Sequence, residues 1–145
     1  MNAKRDLREN SEAVKAHLTI MQSVIQRMAG NSTSAKTWCI TLVSAVLVVV
    51  ADKGKPQFAW LAVIPTVLFL VLDAYYLGLE RGFRKSYNSF IDKLHGHELK
   101  ASDLYVVEPE GDLLALAVAA LRSFSVWPFY GTLLVMIYLA KQFVI

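Results

Sequence analysis

A single cysteine, Cys39, stands among 145 residues, so no disulfide can form within the chain. It falls in an apolar run, where a thiol serves as a small packing residue. Catalytic signatures are missing as well. There is no Walker loop, no G-x-S-x-G elbow and no H-E-x-x-H, and no serine or cysteine stands beside an obvious base outside the apolar runs. An enzyme is therefore not expected. His95 and His97 pair two histidines without a third ligand nearby, too few for a metal site, and no other cofactor is implied. Charge is scarce at 19%. Neither an internal repeat nor a low-complexity tract is evident.

What the chain has in quantity is apolar side chain, 55% of residues, and it is clustered. Candidate spans run over residues 37–51, extendable back to 34 through Ser and Ala, 58–79 and 124–140. At about 1.5 Å per helical residue each reaches roughly 25 to 33 Å, enough for a hydrocarbon core of about 30 Å. The first lies too far along the chain for a cleaved signal, and residues 1–30 are too polar for a signal core, so the spans are expected in the mature protein.

Lys and Arg set the orientation. With the N-terminal side cytoplasmic, twelve fall inside (Lys4, Arg5, Arg8, Lys15, Arg27, Lys36, Arg81, Arg84, Lys85, Lys93, Lys100, Arg122) and three outside (Lys53, Lys55, Lys141). The positive-inside rule then predicts N-in, C-out.

The expected fold is an all-α membrane protein with three transmembrane helices. Its segments are a cytosolic amphipathic helix (1–33), the first span (34–51), an outer loop (52–57), a second span that continues into the cytosol (58–96), a cytosolic loop with an interfacial helix (97–123) and the third span (124–145). Val14, Leu18, Met21, Val24, Ile25 and Met28 form one apolar stripe, ending at Gly30. Phe83, Tyr87, Phe90, Ile91 and Leu94 form another, ending at Gly96, and the two are predicted to pack together. Pro65 is a predicted kink, because it removes a backbone donor.

Asp73 is the conspicuous polar residue. Fifteen apolar residues precede it from Phe58, about 22 Å of helix, which places it in the inner third of the second span. An acid there is costly against lipid and must face protein or water. Asp73 and Glu80 are candidates for an ion path; the competing reading is that Asp73 accepts hydrogen bonds from Tyr76, Trp38 or another subunit and fixes packing. Glu80 and Arg84 also stand at i, i+4 spacing and form a predicted surface pair. Thr37, Thr41 and Ser44 make a polar stripe on the first span, suited to a pore lining or to close helix approach. Arg81, Arg84, Lys85 and Lys93 form a basic face, followed by an acidic stretch at Asp103, Glu108, Glu110 and Asp112. Such a face can take lipid headgroups or, repeated around a ring, an anionic nucleotide or single-stranded oligonucleotide.

The block LDAYYLGLERGFRKSYNSF, preceded by MQSVIQRMAGNSTSAKTW, resembles small bacterial inner-membrane proteins of the RipA type, which assemble as octamers. It is also similar to small membrane effectors carried in anti-phage operons beside a nucleotidyltransferase. The resemblance covers roughly residues 20–95, and the rest of the chain adds nothing to it. It implies a homo-oligomer in the bacterial inner membrane, a channel whose opening depolarises the membrane and stops growth, with a nucleotidyltransferase as a partner. The alternatives are a non-conducting scaffold and a subunit of a proton-coupled transporter, the latter only as an oligomer, since three spans and one acid offer little for alternating access.

Overall fold

The computed structural model describes residues 11–143. Four α-helices carry the fold: α1 (Glu12–Lys53), α2 (Val63–His95), α3 (Leu113–Leu121) and α4 (Trp127–Phe143), with 3-10 segments at Pro56–Ala62 and Ala101–Asp103. No strand occurs among the described residues. Lys4, Arg5 and Arg8, counted for orientation above, lie outside them, as does the beginning of the expected 1–33 segment.

The cap chemistry explains the ends of α1. The Ser11 hydroxyl accepts from the Val14 amide at 3.2 Å, satisfying one orphan donor of the first turn. At the far end Gly54 turns left-handed at φ 59, a conformation that suits a residue without Cβ. Between these ends the helix is unbroken. Gly30, expected to end the first stripe, lies inside a helix of 42 residues. A lone glycine weakens a helix by only about 1 kcal/mol, less than the flanking packed turns contribute.

Pro65 does not kink a long helix either. The chain leaves Lys55 as a 3-10 segment and becomes α-helical only at Val63, so Pro65 sits in the first turn, where its missing donor has no intrahelical partner to lose. Glu12–Lys53 and Pro56–His95 are the two described helices long and apolar enough to cross a membrane. α4 has 17 residues, about 25 Å of helix.

α1 and α2 form an antiparallel hairpin along their whole length. Near the Gly54 turn, Cys39, Val43 and Val50 pack with Ala59 and Ala62, joined by Val126, Tyr130, Leu133 and Ile137 from α4 and the turn before it. α4 runs antiparallel to α2: the Tyr130 hydroxyl donates to the Phe69 carbonyl at 3.0 Å, and Lys141 lies 5.0 Å over the Trp60 ring. Outside this core the helices show Trp38, Val48, Ile64, Val71, Val135 and Leu139 to their surroundings. Such a girdle is what a lipid-facing surface presents.

The other half of the hairpin has its own core. Val14 and Met21 pack against Phe90 and Leu94, with Leu18, Tyr87, Leu99, Leu104 and Val107 around them. The two predicted stripes therefore meet within one chain. In water each fully buried side chain of this size contributes roughly 1.5–3 kcal/mol.

α3 lies across α2. A Cβ on Gly78 would meet the Ala117 amide nitrogen at 2.9 Å, and one on Gly82 would meet Pro109 Cβ at 2.8 Å. These glycines, four residues apart on one face of α2, let the crossing backbone come close. Asp112 caps α3 by accepting from the Leu114 amide at 3.0 Å. The segment LYVV opens with a turn at Leu104 and Tyr105, the latter at φ 63.

Candidate functional site

Asp73 lies where the two halves of the hairpin join, and it is fully buried. Its carboxylate is met from α1. The Ser32 hydroxyl donates to Oδ1 at 2.5 Å, and the Lys36 ammonium stands 2.6 Å from Oδ2, in ion-pair contact but out of line for a hydrogen bond. Lys36 also donates to the Ser32 Oγ at 3.2 Å, closing the triangle. Ser32 and Lys36 are one helical turn apart, so α1 presents both to one point on α2.

The partners differ from those the sequence offered. Tyr76 and Trp38 make no hydrogen bond to Asp73, and Trp38 points outward at 61% exposure. The missed residue is Lys36. Its signal was present: a lysine at the inner edge of the first span, at the same expected depth as the only acid of the second.

Thr37, Thr41 and Ser44 face away from this node and are exposed on α1. The Thr37 hydroxyl donates to the Thr33 carbonyl at 3.1 Å and that of Thr41 to the Thr37 carbonyl at 2.8 Å. Their donors are thus used within the helix, while the stripe stays outside the single chain. Glu80 stands about two turns along α2 from Asp73 and pairs with Arg84 at 2.7 Å, as its spacing predicts.

A second site lies at the far end of the hairpin. Residues 97–112 fold back over α1 and α2 as a strap. Lys93 pairs with Asp103 at 3.2 Å, Ser89 donates to Glu110 at 2.6 Å, Ser86 donates to the Glu108 carbonyl at 2.5 Å, and the Glu110 amide donates to the Gly82 carbonyl at 3.0 Å. His17 anchors the middle. Its ring is buried against Phe90, centroids 4.3 Å apart, and its Nδ1 accepts from the Tyr105 amide at 2.9 Å. Burial pushes the imidazole below the usual histidine range, against a smaller opposite pull from Asp103. Asp103 is itself held below the usual carboxylate range, chiefly by the hydrogen bond from the Lys100 amide.

Beneath the strap is an open cavity of about 370 Å³. Its charged lining is Lys93 against Asp103, Glu108 and Glu110, so in this form it does not favour an anion. The acidic stretch therefore already occupies part of the basic face. Of the four candidate basic residues, Arg84 and Lys93 are paired, and Arg81 and Lys85 have no ion pair among the described residues. No group of three or more metal-ligating side chains occurs among the described residues. Compared with known proteins, the chain matches no family model, no curated protein and no solved structure.

Proposed function

We propose that the chain is a multi-pass protein of the bacterial inner membrane, crossing three times with its Ser11 end in the cytosol, that assembles with copies of itself into an ion-conducting channel. The carrying observation is the hydroxyl stripe of Thr37, Thr41 and Ser44, exposed within an otherwise apolar girdle. It extends over about 10 Å of α1. A polar stripe at that depth belongs against another subunit or against water, and a ring of copies supplies both. The twelve-to-three charge bias and the common direction of α1 and α4 support the three-span arrangement.

Gating by an anionic nucleotide or oligonucleotide, with a nucleotidyltransferase as partner, fits a less direct route. The ligand must displace Glu80 and Asp103 from Arg84 and Lys93, or bind Arg81 and Lys85, which carry no ion pair. Lifting the strap would uncover the rest of the basic face.

A non-conducting scaffold is the second reading, and one observation favours it. The charge of Asp73 is matched inside its own chain by Lys36, which leaves no unpartnered intramembrane acid for an ion path. Single-channel recording of the purified protein in planar bilayers separates the two. Discrete current steps, altered in amplitude by Thr37→Leu and Thr41→Leu, are expected of the channel. An intact oligomer that passes no current establishes the scaffold instead.

A further inference from the structure

At the end of the bundle opposite the strap, a groove of about 500 Å³ opens beside the Gly54 turn. Val46, Val49 and Val50 of α1 form one wall, and Phe58 and Leu61 of the 3-10 segment form the other. The walls are almost wholly apolar. Among the described residues, the groove's only charged groups are Lys53 and Lys55. Gly54 places them there. Its amide closes on the Ala51 carbonyl at 3.2 Å and the Lys55 amide on the Val50 carbonyl at 3.3 Å, so the chain reverses tightly and leaves the two lysines flanking the turn. Lys53 touches Asp52 at 3.4 Å with both side chains largely exposed, and Lys55 has no ion pair among the described residues.

We propose that this groove binds an anionic glycerophospholipid, an acyl chain lying between the valines and Phe58 and the lipid phosphate held between Lys53 and Lys55. The inference rests on the membrane reading above. A flexible polymethylene chain matches walls that offer no hydrogen-bonding group, and in a bilayer its phosphate lies at the level where the apolar girdle ends and these lysines begin. The competing occupant is a second copy of the chain. Charge argues against it, because the charged side chains among the described residues at this end are Lys53, Lys55 and Lys141 against Asp52. Copies related by an axis normal to the membrane meet at equal depth, so each would bring the same positive excess to its neighbour. A phosphodiester brings the opposite sign.

The test uses the full-length protein in nanodiscs of equimolar phosphatidylglycerol and phosphatidylcholine with matched acyl chains, released into mild detergent and weighed by native mass spectrometry. Two lysines near a membrane surface, at about fivefold each, predict phosphatidylglycerol retained over phosphatidylcholine by about twenty-five-fold. Lys53→Glu with Lys55→Glu should abolish that preference. Ala45→Phe, which fills the groove from its α1 wall, should lose the bound lipid with both lysines in place. Equal retention of the two lipids, or a preference that survives both variants, overturns the proposal. So does an interchain disulfide in membranes through Val49→Cys in a Cys39→Ala background, since a second copy then fills the groove. Alkaline carbonate extraction separates the two levels of failure. Release of the chain overturns the membrane reading together with the lipid site, whereas a retained chain without lipid preference overturns the lipid site alone.

Discussion

The Asp73 node is asymmetric, and the asymmetry is testable. Asp73 is fully buried and Lys36 keeps 18% of its side chain exposed, so the lysine has a route to water that the carboxylate lacks. Lys36→Met should strand a buried charge that still accepts from the Ser32 hydroxyl but has lost its counter-ion, and cost about 3 kcal/mol, the low end for breaking a buried pair. Asp73→Asn should cost less, because Lys36 can turn outward and the amide can still accept from Ser32. The double variant is expected to melt above Lys36→Met alone, followed by tryptophan fluorescence in detergent. If the single lysine variant melts no lower than the double, the pair contributes nothing to the fold. Within lipid such a node matters more than its size suggests, since apolar contact between helices gains little over contact with acyl chains.

At the scale of elements, the strap is tied down by polar contacts along its inner face, and His17 is the one that responds to pH near neutrality. The imidazole must be neutral for Nδ1 to accept from Tyr105, and burial lowers its folded-state value below 6.5. A group whose value is depressed by folding contributes fully above its unfolded value. That contribution is lost as pH falls through the folded one. The strap should therefore be firm above about pH 6.5 and loosen progressively below it. Asp103, which pairs with Lys93 beside the ring, is held below the ordinary carboxylate range and so keeps its charge across that window. Protection of the Tyr105 amide against hydrogen exchange, relative to its intrinsic rate at each pH, should fall between pH 7.5 and 5 in the wild type. His17→Gln, with no proton to gain, should flatten that step beyond the intrinsic pH dependence of exchange. An unchanged step in the variant would assign the transition to another group.

For the whole molecule, the direction of α4 carries the most consequence. Tyr130 bonds to α2 at Phe69 and Lys141 stands over Trp60, so the last helix returns toward the Gly54 end. With the Ser11 end in the cytosol, the end of α4 lies outside. A phosphatase reporter fused after Ile145, active only beyond the cytoplasm, should be active. A cytosolic reporter active at the same position would reduce the crossings to the two longer helices and leave α4 on the inner side. The apolar girdle would then be shorter on one face, and the channel proposal would lose its third helix.

Much of the architecture was legible without coordinates, because periodicity and hydropathy are properties of neighbours along the chain. The stripes at Val14 to Met28 and Phe83 to Leu94 and the Glu80–Arg84 pair follow from spacings of three and four, the stop at Gly96 from a glycine, and the helix at Leu113–Leu121 from a short apolar run. Distances between residues far apart in the chain are another matter. That Lys36 answers Asp73 depends on the register between α1 and α2, which the packing of Val50 on Ala59 and of Met21 on Phe90 sets at the two ends of the hairpin. The continuity through Gly30 follows for the same reason, since tertiary contact on both sides outweighs one weak residue. Gly78 and Gly82 read as ordinary helix positions until α3 is laid across them. Local pattern determined which segments are helical and which faces are apolar; only the folded chain decided which polar groups meet, because pairing across some forty residues of sequence is set by packing geometry.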